Sequence, residues 1–213
     1  MNFIYLHGFG SRPESTKAVY LVNKLATLGI SLEVPDLNQG DFSHLTITRQ
    51  INQVAKLFPP AEMPVTLIGS SLGGLTAAWL AQQHSQVQSL ILLAPAFGFL
   101  SHWLPKLGDV QLQEWQTSGS IPVYHYGEGR SLALNYKFVE DANRYQEIQL
   151  IRPVPTLIFH GRQDEVIPIK ASRDYASVRP WVQLIELDSD HALVDVMPTI
   201  WQEILSFCQL EFS

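Results

Sequence analysis

The stretch LIGSSLGGLTAAWL, residues 67–80, decides the fold: an apolar strand runs into a glycine-flanked serine doublet, and a helix of small and apolar residues leaves it. Counted between the glycines, Gly69-Ser70-Ser71-Leu72-Gly73 fits G-x-S-x-G with Ser71 at the centre. A serine so placed sits on a sharp strand-to-helix turn, and the flanking glycines let backbone segments approach more closely than a side chain would allow. Downstream, Leu72, Leu75, Ala78, Trp79 and Ala81 recur at helical spacing. Ser71 is the expected nucleophile and Ser70 points elsewhere. The amide of Leu72 lies in the first helical turn, where unsatisfied N–H groups and the helix dipole favour a developing oxyanion. A glycine-rich turn without chemistry would show the same five residues, so the case depends on partners elsewhere in the chain.

A serine hydroxyl needs a general base to take its proton and an acid to hold that base in the right tautomer. LIFHGRQDEVIP (157–168) puts Asp164 in the loop after an apolar strand, and IELDSDHALV (185–194) puts His191 in the loop after the last one. Loops at the carboxyl ends of parallel strands lie along one edge of a sheet, so Ser71, Asp164 and His191 can converge. Asp188 and Asp190 flank His191 but are too close in sequence to reach the back of its ring, and Glu165 is the next acid to consider. His160 and His7 are expected to brace the structure, and Asp36 to cap a turn. His44, His84, His102 and His125 show no metal-ligand spacing, and no metal site is expected.

The rest of the chain supplies the sheet. Runs at 3–7, 31–35, 65–69, 87–95, 155–161 and 182–187 read as strands, and several are nearly continuously apolar, as strands covered on both faces should be. Helical patterns at 14–28, 44–57, 72–84, 168–178 and 198–210 alternate with them, which predicts a three-layer α/β/α arrangement with a mostly parallel sheet of about six strands. Residues 97–150 break the rhythm, being far longer than a crossover needs. Within them IPVYHY and SLALNY flank GEGR and read as a β-hairpin. This aromatic insertion, with Trp103, Trp115, Tyr124, Tyr126 and Tyr136, is either a lid over the site or a cover for the sheet edge.

At 213 residues, 46% hydrophobic and 16% charged, the chain suits one globular domain with an insertion. A net charge of -6 without a basic run argues against a nucleic-acid partner. Cys208 is the one cysteine, so no intrachain disulfide forms, and its helical pattern predicts a buried thiol. MNFIYLHGFG enters a strand at once, without a signal-like or membrane-spanning run, so a cytoplasmic location is expected.

YLHGFGS (5–11), GSSLGG (69–74), HGRQDEVIP (160–168) and DHAL (190–193) resemble the α/β-hydrolase superfamily and, within it, the small YqiA/YcfP-like esterases. The likeness covers residues 1–96 and 151–213; the insertion matches less clearly. It implies an α/β-hydrolase fold lacking the superfamily's usual first two strands, a triad of Ser71, Asp164 and His191, and an oxyanion hole from the amides of Phe9 and Leu72. It also implies hydrolysis of a small acyl ester or thioester without a cofactor. C–C bond hydrolysis, perhydrolysis, or a non-catalytic binding role on the same fold are the alternatives.

Overall fold

The computed structural model describes residues 2–60 and 63–210. In chain order the elements are β1 (Asn2–Leu6), α1 (Thr16–Ala26), β2 (Leu32–Glu33), α2 (Ile47–Ala55), β3 (Val65–Ser70), α3 (Leu72–Gln83), β4 (Val87–Leu93), α4 (Phe99–Ser118), β5 (Ser120–His125), β6 (Arg130–Asn135), α5 (Lys137–Ala142), β7 (Thr156–Gly161), α6 (Ile169–Ser177), β8 (Val182–Leu187) and α7 (Met197–Cys208). Six strands form one sheet in the order β2-β1-β3-β4-β7-β8, and every pairing in it is parallel. β5 and β6 pair antiparallel as a separate hairpin.

Burial on both faces follows from that topology. Every residue of β3 is buried, as are ten consecutive residues of α3, Leu72 to Ala81. One apolar cluster joins Leu67 and Leu92 to Ile51 and Val54 of α2, Leu75 and Leu80 of α3, and Trp115 and Phe138 of the insertion. A second, on the opposite face, joins Tyr5, Ile68 and Phe159 to Leu21 and Leu25 of α1 and to Ile200, Trp201 and Ile204 of α7. Cys208 packs against this second cluster but is only partly covered, and burial pushes its thiol up to about 11.

Three elements depart from the sequence pattern, one being α5, six residues of helix in the insertion where the sequence predicts none. The strand expected over 31–35 shrinks to Leu32–Glu33, paired to Phe3 and Ile4 at the edge of the sheet. Pro35 has no N–H to donate to a ladder, which ends the strand there. Between β4 and the hairpin lies α4, which the sequence reading left without secondary structure. It contains Pro105, and Gly108 sits inside it at φ 76° and ψ 160°, so it is two helical pieces meeting at a kink. Pro105 and Gly108 look like helix breakers in a sequence window; here they bend a helix whose Phe99 and Trp115 are buried. Among the described residues no helix is long and apolar enough to cross a membrane.

Candidate active site

The turn from β3 to α3 is held in a conformation that few residues adopt. Ser71 has φ 53° and ψ -119°, a backbone state that costs about 1–3 kcal/mol for a residue with a side chain and persists only where the surroundings enforce it. The enforcement is visible. The Ser71 N–H donates to Leu93 O at 2.9 Å, and its carbonyl accepts from Gly74, Leu75 and Ala96. A Cβ on Gly73 would stand 2.1 Å from Leu6 O, and one on Gly69 would stand 2.5 Å from Gly73 O. Only glycine permits β1, β3 and α3 to meet this closely, and the meeting aims Ser71 out of the turn. Ser70, in contrast, is buried on the Tyr5 side of the sheet.

The loops after β7 and β8 bring their side chains to this serine. Ser71 Oγ lies 3.1 Å from His191 Nε2, and His191 Nδ1 lies 2.7 Å from Asp164 Oδ2. A carboxylate can only accept, so the Nδ1 proton faces Asp164 and Nε2 is left to accept from the serine hydroxyl. Asp188 bonds Gln163, Asp190 caps the amide of Ala192, and the Glu165 carbonyl accepts from Lys106; of the four acids near His191 in sequence or space, Asp164 holds its ring.

Asp164 is itself fixed from several sides. Its Oδ1 accepts the N–H groups of Val166 and Ile167, each at 2.8 Å. Fully buried His160 places Nε2 2.9 Å from Ile167 O and 3.1 Å from Asp164 Oδ2, with Nδ1 2.8 Å from Ser172 Oγ. Two acceptors at Nε2 put the proton there, and Ser172 therefore donates to Nδ1. Burial alone would push the Asp164 carboxyl up; the bonds from His160, His191 and the Ile167 amide, with the charge of His191, outweigh it and hold the group well below the usual carboxylate range.

The oxyanion candidates lie on either side of Ser71. A Cβ on Gly8 would stand 3.3 Å from Ser71 Cβ, so the turn carrying Phe9 runs directly beside the serine. The amides of Phe9 and Leu72 donate to no protein acceptor among the described residues. His7 fixes this turn: its Nε2 accepts the Leu37 N–H at 3.0 Å and its Nδ1 reaches Gly8 O at 3.0 Å. Burial, the largest influence, lowers the His7 pKa, which suits a neutral bracing role. Asp36 accepts from the amides of Asn38 and Gly40, the turn-capping role expected of it.

The insertion meets the site through Phe9, whose ring lies 5.3–5.7 Å from those of Phe42, Phe99, Trp103 and Phe138. Its hairpin is joined to the turn by the bond from Gly127 N to Gly10 O. A cleft of about 560 Å³ opens between this hairpin and the loops after β1 and β2, lined by Arg12, Asp36, Phe42, His125 and Arg130 among others. Ser71, Asp164 and His191 are not on its walls. Two lysines near the site were missed in the sequence. Lys106 of α4 donates to the carbonyls of Glu165 and Val166, next to Asp164. Lys17 of α1 donates to Ala192 O, next to His191. Lys17 did leave a signal, standing one and two helical steps of four before the buried Leu21 and Leu25.

The sequence pattern of the Uncharacterised protein family (UPF0227) matches residues 2–209. The chain belongs to that family. Its fold is that of the α/β-hydrolase superfamily: alpha/beta hydrolase domain-containing protein 10 from mouse superposes with a TM-score of 0.79 at 24% identity, covering 99% of this chain and 90% of the mouse protein. Est1E from Butyrivibrio proteoclasticus, solved with ferulic acid bound, superposes with a TM-score of 0.79 at 18% identity, covering 97% of this chain and 89% of Est1E. In sequence, a pyrethroid hydrolase of Sphingobium wenxiniae is 35% identical over 99 residues, 43% of this chain. The match spans only 35% of that relative's length.

Proposed function

We propose that the protein is a serine hydrolase that cleaves small carboxylic esters or thioesters through an acyl-enzyme. The observation that carries this is the chain of contacts from Ser71 Oγ to His191 Nε2 at 3.1 Å and from His191 Nδ1 to Asp164 Oδ2 at 2.7 Å. Ser71 Oγ attacks the carbonyl carbon as its proton passes to His191 Nε2, and Asp164 stabilises the imidazolium and keeps its orientation. The oxyanion is received by the amides of Phe9 and Leu72. His191 then gives the proton to the departing alcohol or thiol, leaving the acyl group on Ser71, and water repeats the sequence to release the acid. The aromatic side chains around Phe9 favour an apolar acyl group, and the partial sequence likeness to a pyrethroid hydrolase supports a hydrolytic reaction. Residues 97–150 act, in this proposal, as a cap inside a single domain. The setting is reducing and cytoplasmic, in keeping with the one cysteine.

Labelling with a fluorophosphonate and turnover of a p-nitrophenyl ester test the assignment. Ser71→Ala should abolish both, while Ser70→Ala, on the Tyr5 side of the sheet, should leave much of each. Labelling retained in Ser71→Ala removes the nucleophile from this site. Turnover independent of pH from about 5 to 9 counts against a histidine base.

A further inference from the structure

Lys17 reaches the segment that carries His191 from the other end of the chain. It stands on the same stripe of α1 as the buried Leu21 and Leu25, so the stem of this half-buried residue follows the sheet-facing side of the helix, and its Nζ donates to Ala192 O at 2.9 Å. The segment it grips is under constraint from other directions. A Cβ on Gly161 would stand 2.3 Å from Ser189 O and 2.4 Å from Asp190 O, so β7 presses against it there. Asp190 Oδ1 accepts the Ala192 N–H at 2.8 Å, and Leu193 has φ 57°, a strained value for a branched side chain. Left to itself a strained loop relaxes, and the imidazole it carries moves with it.

We propose that Lys17 is a positioning residue, whose charged bond to the Ala192 carbonyl keeps His191 aligned between Asp164 and Ser71. This rests on the reading of Ser71 and His191 as nucleophile and base. The carboxylates that act on the ammonium are Asp164, from the loop after β7, and Asp190, from the loop after β8. Burial pushes the Lys17 ammonium down, to about 8, and the two carboxylates only partly oppose it. As pH rises through that value the bond to Ala192 loses its charge, and a charge-assisted bond is roughly twice as strong as a neutral one. Reactivity therefore falls in that range. Stability behaves oppositely: between about 8 and the ordinary lysine value of about 10.4 the unfolded chain binds more protons, so this group makes the fold more stable as pH rises.

The rate of fluorophosphonate labelling of the full chain, measured from pH 6 to 10 beside thermal melts, tests the assignment. Wild-type labelling should fall above about pH 8 while the melting temperature does not fall in step. Lys17→Arg keeps its charge throughout and should lose that alkaline fall, whatever its absolute rate. Lys17→Met should label about 10- to 100-fold more slowly at pH 7, the scale expected when a reacting group is misplaced by around an ångström. A flat wild-type profile, a fall retained in Lys17→Arg, wild-type rates in Lys17→Met, or a melting temperature that tracks the labelling rate would each overturn the inference. Labelling of Ser71→Ala instead defeats the nucleophile assignment, so the two failures are distinguishable.

Discussion

At the carboxyl edge of the sheet, Gly73 and Gly161 bring backbone against backbone with no room for a side chain, whereas Gly108, Gly119 and Gly129 of the insertion have open space where a Cβ would stand. The two regions are held by different forces. On the edge, steric exclusion between main-chain atoms fixes Ser71 and the His191 segment, and hydrogen bonds fix Asp164. In the insertion, beside the backbone bond from Gly127 N to Gly10 O, the ties are mostly side chains: the Trp115 indole N–H donated to Leu134 O at 2.8 Å, rings packed on Phe9, and Asp141 accepting from Thr48. Backbone contacts are all-or-none, because an atom overlapping a carbonyl oxygen has nowhere to go. Side-chain contacts degrade by degrees.

The largest expected effect breaks the edge. Gly73→Ala sets a methyl group against the Leu6 carbonyl and should cost about 4 kcal/mol or more, enough to prevent recovery of folded protein. Gly129→Ala, at φ 64° with free space around it, should cost only about 1–2 kcal/mol from backbone strain. Recovery of folded Gly73→Ala, with a loss in denaturant titration no larger than that of Gly129→Ala, would erase the distinction drawn between the regions.

Next in size is Trp115→Ala, with an expected loss of about 3–5 kcal/mol from a fully buried indole. Amide exchange shows where the loss falls. Protection should drop in β5 and β6 and persist in β3 and β4; a uniform drop would mean that insertion and sheet unfold as one unit.

A smaller effect concerns the acid side. The Asp164 carboxyl is held below its unfolded value of about 3.9, so its contribution to stability is complete above that value and is lost as pH falls through the lower, folded one. Asp164→Asn should therefore flatten the decline of stability below about pH 4. An unchanged decline would mean that other carboxylates carry it. The least effect is expected for Lys106→Ala: this exposed link from α4 to the acid loop should contribute no more than about 0.5 kcal/mol to the denaturation midpoint. A loss like that of Trp115→Ala would show that the link, and not the aromatic packing, seats α4.

The same contrast governs what could be read in advance. The elbow at Ser71, the loop positions of Asp164 and His191 and the hairpin around GEGR all stand out in the sequence, because each rests on contacts between near neighbours or on strand periodicity. α4 did not stand out: Pro105 and Gly108 interrupt its pattern, and burial of Phe99 and Trp115 decides its state. Sequence position also could not separate Asp164 from Glu165 by geometry; the distance of 2.7 Å to His191 does.

By itself the sequence determined that a parallel sheet would present a serine, an acid and a histidine along one edge, since hydrophobic period and glycine spacing are local properties of the chain. Only the tertiary structure decided that Asp164 stands 2.7 Å from the ring it was expected to hold, that His160 and Ser172 brace that carboxylate, and that Lys17 reaches Ala192. Their separations run from four residues, His160 to Asp164, to 175, Lys17 to Ala192, and at every range the contact depends on how the loops fold back rather than on a repeat in the chain.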